Sequence, residues 1–119
     1  MVTTYIDTTQ CPRRELPGRQ GEVAEIVDKN LCGAENVVGM LRWLGEGERF
    51  ETESLGDRHQ LIYFMEGDGV LTLENKKYPV SKGSGIYLGP SETAGIAQAG
   101  IAPVMLFHLI VRKEGKNAL

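Results

Sequence analysis

Apolar and polar residues alternate along much of this chain with the period of two that a half-buried strand requires, and the alternating runs are short. Val23–Asp28 interleaves apolar with acidic residues. Val37–Leu44 is largely apolar and ends at Gly45-Glu46-Gly47. Arg49–Leu55 alternates more weakly. Gln60–Glu66 is rich in strand formers and stops at Gly67-Asp68-Gly69, where glycine tolerates the positive φ of a tight turn. Val70–Glu74 alternates cleanly. Asn75-Lys76-Lys77 turns the chain into Tyr78–Val80, and Ile86–Leu88 and Ala94–Gln98 flank Gly89-Pro90-Ser91-Glu92. Val104–Arg112 is apolar on both faces until its end, so something must cover each side.

Helical periodicity is weak. The best helix candidate is Cys32–Arg42, but Gly33 and Gly39 oppose it, each costing about 1 kcal/mol relative to alanine. Pro12–Gly21 holds two prolines and two glycines, a composition that resists both helix and central strand. The pattern predicts an all-β domain of about nine short strands, a sandwich or barrel. Residues 1–22 form an irregular N-terminal arm, placed to pack on a partner subunit. Residues 23–119 form the single barrel domain, and Arg112–Lys116 reads as a solvated end.

Composition narrows the function classes. The 119 residues carry a formal net charge of −3 with basic residues scattered, and the Arg13-Arg14 pair is too short to make the basic face of a nucleic-acid binder. No apolar run approaches the roughly 18–20 residues that span a bilayer, and the N-terminus lacks the pattern of a secretory signal. A cytoplasmic protein without nucleic-acid or membrane partners is expected. Cys11 and Cys32 form no CxxC motif and are expected as reduced thiols.

The stretch from His59 to Leu73 resembles the first motif of the cupin superfamily, an apolar strand followed by Glu66-Gly67 and a second strand. Tyr78 to Pro90 resembles the second motif, in which Lys82-Gly83 leads into a short strand and a proline turn. The resemblance covers roughly Leu44 to Val111. It implies a cupin-type β-barrel, also called a double-stranded β-helix and jelly-roll-like. It also implies a cavity and sheet-to-sheet homodimers. The metal ligands of that family do not carry over. Its histidine pair falls on Glu53-Ser54-Leu55-Gly56, its glutamate on His59 or Gln60, and its last histidine near Ala94. No metal and no other cofactor is therefore expected.

The chain has two histidines, His59 and His108, and both are candidate catalytic groups because imidazole titrates near neutrality. His108 interrupts an apolar strand and shares its face with Val104, Leu106 and Ile110, so a buried ring there needs a partner. Alternation puts Leu61, Tyr63 and Met65 on the face of His59, which makes Tyr63 the expected pocket aromatic and third catalytic candidate. Arg42, Trp43, Glu53, Gln60 and Met65 are the candidate ligand-binding residues.

The expected function is binding of a small organic molecule without a tightly held metal, as a metal-independent enzyme (isomerase, cyclase or lyase-like proton transfer) or as a sensor. One alternative is a metal-dependent oxygenase or hydrolase whose ligands come from Glu51, Glu53, His59 and His108. The other is a non-catalytic interaction or regulatory module with a filled interior.

Overall fold

The computed structural model describes residues 4–112; the expected solvated end beyond Arg112 lies outside the described residues. In chain order the strands are β1 (Arg14–Glu15), β2 (Glu22–Val27), β3 (Val37–Leu44), β4 (Arg49–Glu51) and β5 (Arg58–Glu66). They continue as β6 (Asp68–Leu73), β7 (Lys76–Val80), β8 (Gly85–Leu88), β9 (Gly95–Ala99) and β10 (Val104–Arg112). One helical turn, α1 (Lys29–Cys32), follows β2. The predicted strands over Val37–Leu44 and Val104–Arg112 form with those limits. The helix weighed over Cys32–Arg42 does not form. The Asp28 side chain caps Leu31 N at 2.8 Å, and Gly33, at φ 77°, stops the helix after one turn.

Two antiparallel sheets result. The larger has the order β1-β2-β3-β10-β5-β8 and the smaller β4-β9-β6-β7. The expected barrel is thus two facing layers in a jelly-roll arrangement. Gly67, at φ 84°, carries the chain from β5 in one layer to β6 in the other, so the predicted tight turn is a corner between sheets. A Cβ there would strike the Pro103 carbonyl and Val104 Cα. The β6–β7 hairpin turns on Glu74 and Asn75, at φ 48° and 67°, with Leu73 opposite Lys76. Two positive φ values in a two-residue loop match the twist of the strands they join.

The part of the arm from Arg14 to Gly21 is bonded to its own chain. Arg14 and Glu15 pair with Val23 and Glu22, Leu16 N donates to the Gly21 carbonyl at 2.9 Å, and Arg49 N donates to the Arg19 carbonyl at 3.1 Å. Residues 14–21 therefore run as a strap beside β2.

Burial fixes the parity of each strand. Leu44, Ile62, Phe64, Ile96, Val104 and Leu106 are fully buried between the layers, joined by Phe50, Leu71 and Ile86. On β5 the inward set is thus Gln60, Ile62 and Phe64, while Leu61 and Tyr63 are 41% and 44% exposed on the outer face. Phe64→Ala is expected to lower unfolding free energy by about 3–5 kcal/mol, and Tyr63→Ala by less than about 1 kcal/mol. Urea denaturation of the two variants checks this; equal losses would contradict the parity.

Candidate functional site

Toward one end of the sandwich the inward positions change from apolar to polar. On β10 Val104 and Leu106 lie in the core, and the next two inward residues are His108 and Ile110. On β3 Leu44 lies in the core, preceded on the same face by Arg42 and Met40. On β5 Gln60 precedes Ile62 and Phe64. These polar and adjacent apolar positions line a cavity of about 490 Å³, a volume typical of small-molecule sites. Phe50 and Thr52 line it from the β4 side, and Leu16, Pro17 and Gln20 of the strap complete its wall.

Register brings the polar groups together. Leu106 stands opposite Arg42 on one side, and Ile110 stands opposite Gln60 on the other. His108 lies between those rows, a diagonal neighbour of both polar residues. Arg42 Nε donates to His108 Nδ1 at 3.0 Å, His108 Nε2 meets Gln60 Oε1 at 2.7 Å, and Gln60 Nε2 donates to the Glu53 carbonyl at 3.2 Å. Arginine has only donors, so His108 Nδ1 must accept. The single ring proton then sits on Nε2 and is donated to Gln60. The relay has one consistent direction.

Both charge states follow from this arrangement. His108 is 2% exposed, and its ring centroid is 6.0 Å from that of Phe50. Burial, and next the Arg42 charge, push its pKa down to about 3, which keeps it neutral. Burial also lowers the Arg42 pKa to about 10, with Arg14 adding to the effect and Glu25 and Glu53 opposing it. Arg42 therefore stays cationic at neutral pH, its guanidinium carbon 4.4 Å from the Phe50 ring centroid.

Other sequence candidates lie elsewhere. His59 and Tyr63 project from the outer face of β5, away from the cavity. There His59 Nδ1 meets the Tyr87 hydroxyl at 2.6 Å, and the two rings stack at 5.9 Å. The expected pocket position of Tyr63 is thus corrected: β5 is apolar on both faces, and the interior takes Ile62 and Phe64. Trp43 also points outward, with Arg13 3.7 Å above its ring, and lines a separate surface hollow with Glu66 and Met105. Met65 falls at the bulge where β5 and β10 shift register, and does not line the cavity. Glu53 lines the rim and gives the relay its backbone carbonyl.

The alternative ligand set of Glu51, Glu53, His59 and His108 does not assemble, because His59 and His108 face opposite sides of one sheet. Among the described residues no three His, Cys, Asp or Glu side chains cluster as a metal site. Both His108 nitrogens are engaged, and a guanidinium lies beside one of them. Of the two positions on which the motif's glutamate would fall, Gln60 faces inward and His59 outward. Ala94, where its last histidine would fall, is buried and donates its N–H to Thr52 Oγ1 at 2.9 Å. These residues do not fit a divalent metal.

Sequence reasoning placed Ile110 on the face of His108 but did not single out Met40, Phe50, Thr52 or the strap. Alternation through Met40, Arg42 and Leu44 was the available signal for the first, and an arm with two prolines gave none for its docking site. The neutral state of His108 has a measurable consequence. The unfolded chain protonates this residue near pH 6.5, whereas the folded state resists protonation down to about 3. Its stabilising contribution is full above pH 6.5 and is lost as pH falls toward 3, by about 1.4 kcal/mol per pH unit. Denaturant titrations at pH 6.5 and 5 should show a loss of about 2 kcal/mol that is absent in His108→Gln. An equal loss in both proteins would contradict the assignment.

No family model matches the chain. An uncharacterized protein of Methanocaldococcus jannaschii is 36% identical over 47 residues, which is 40% of this chain and 38% of that one. Solved structures match far more of it. A protein described as a predicted oxalate decarboxylase from Thermotoga maritima superposes with a TM-score of 0.79 at 16% identity, covering 92% of this chain and 99% of that one. The polyketide cyclase RemF from Streptomyces resistomycificus gives 0.77 at 17% identity, covering 95% and 81%. The Cnp3 cupin domain of Schizosaccharomyces pombe gives 0.73 at 10% identity, covering 90% and 72%. With its two antiparallel sheets and the strand sequence expected from the two motifs, this chain has the cupin fold.

Proposed function

We propose that this chain binds a small organic molecule in the cavity between its sheets, without a tightly held metal, as a metal-independent enzyme or a sensor in the cytoplasm. The observation that carries this reading is the Arg42–His108–Gln60 relay at the inner wall of the cavity. A fully apolar filling would suit a purely structural interior better, since each buried polar group must be matched or costs about 1–3 kcal/mol. Here the groups are matched to one another, and Arg42 still borders the open volume. Likeness in fold to a polyketide cyclase supports cyclisation as one reaction of such an enzyme. In such chemistry His108 acts as a positioning group, because its acceptor nitrogen is already occupied by Arg42. His59 and Tyr63 stand outside the cavity and take no part.

Exposed apolar positions support a homodimer. Leu61, Tyr63, Tyr87 and Val111 are 37% to 61% exposed on the adjoining strands β5, β8 and β10, and they form one outer patch. A second copy would cover that patch.

Two measurements test these proposals. In a fragment titration followed by NMR, ligands should shift the Gln60 side-chain amide and Thr52 while leaving Tyr63 unmoved. Gln60→Ala should weaken binding by about tenfold or more, because it orphans His108 Nε2. Shifts confined to the outer face would contradict the cavity reading. Sedimentation should find a dimer that Tyr63→Lys converts to monomer; a monomeric wild-type chain at working concentration would remove the dimer.

A further inference from the structure

Arg42 is held in one placement, yet its guanidinium makes no direct contact with a carboxylate among the described residues. Its Nε is tied to His108 and its plane lies over Phe50. The remaining contact of its Nη2 is Met40 Sδ at 4.0 Å, a weak acceptor. Among the described residues every ion pair within 4 Å involves another arginine, and no carboxylate oxygen comes that close to Arg42. A guanidinium removed from water usually finds a carboxylate, often through two parallel N–H···O bonds.

Two of the nearby carboxylates already have arginine partners. Arg14 pairs with Glu25 at 2.7 Å, and Glu51 pairs with Arg49 at 3.3 Å. Glu53 is exposed at the rim. The cavity therefore has a cationic inner wall at Arg42. Its lining also holds Arg14, which is paired with Glu25, Glu51, which is paired with Arg49, and Glu53, which has no ion pair among the described residues. Leu16, Val23, Met40, Leu55 and Ile110 supply apolar surface. An anionic group fits against Arg42. A second negative charge, reaching toward Glu53, would be repelled.

We propose that the ligand of this cavity is a compact monocarboxylate with an apolar body, its carboxylate paired with the Nη groups of Arg42. This rests on the cavity being a ligand site, and it names the chemical class. His108 and Phe50 fix the guanidinium before the ligand arrives, so little side-chain entropy remains to be lost on binding. Arg42 is a binding residue here, and His108 positions it.

Matched pairs of probes separate charge from shape: benzoate with benzamide, isobutyrate with isobutyramide, and hexanoate with hexanamide. Calorimetry gives their affinities, and the Arg42 Nε–Hε resonance of the wild-type protein reports where they bind. At least one carboxylate should bind about tenfold or more tighter than its amide and shift that resonance. The dicarboxylate phthalate should bind more weakly than benzoate. Arg42→Gln should erase the preference for carboxylate, and Arg42→Lys should retain part of it. Amides that perturb the Gln60 side chain as strongly as their acids would overturn the charge assignment and leave the cavity as a ligand site. If neither acids nor amides perturb Gln60 or Arg42, the cavity reading falls together with it.

Discussion

A buried imidazole beside a guanidinium tolerates one protonation state, and the polar half of this interior is arranged around that restriction. Arg42 can only donate, so His108 must accept at Nδ1, must carry its proton at Nε2, and must give that proton to Gln60. Gln60 is thereby oriented with its amide nitrogen toward the Glu53 carbonyl. Four residues from three strands and one connecting segment are tied into a single donor-to-acceptor sequence. Protonating the imidazole would place a second positive charge 3.0 Å from the guanidinium, on a ring that is buried from water.

The same arrangement explains how the interior divides. Along β3, β5 and β10 the inward residues are apolar until they reach Arg42, Gln60 and His108, and the cavity opens there. Packing of Phe64, Leu106 and Leu44 holds the two layers together on one side of the relay. On the other side the strap from Arg14 to Gly21 lies beside the opening, fixed by its own backbone bonds and by the Arg14–Glu25 pair. A rigid apolar wall with one held cation is suited to recognising an anion of limited size.

Much of the fold was legible in the residues. Continuous apolar runs bounded by turn signals located β3 and β10 with their observed limits, and the stretches His59–Leu73 and Tyr78–Pro90 indicated the architecture. Alternation placed His108 on one face with Val104 and Leu106, and their full burial in the structure makes that face the inward one. The parity of β5 was not legible. Leu61, Tyr63 and Met65 are as apolar as Ile62 and Phe64, so periodicity cannot choose between the faces, and His59 pointed to the wrong one. Arg42 was named as a ligand contact, but its link to His108 depends on a cross-strand register that no local pattern encodes. The short helix was missed for a similar reason: its limits rest on the Asp28 cap and on Gly33, inside a segment of weak periodicity.

The protonation of His108 carries the whole account, and it can be observed directly. Nitrogen-15 NMR of the imidazole ring, read through its couplings to the carbon-bound ring protons at pH 7 and again at pH 5, distinguishes the two tautomers and the imidazolium. The structure predicts a bare Nδ1 and a protonated Nε2 at both pH values. A ring protonated on Nδ1, or doubly protonated at pH 5, would contradict it.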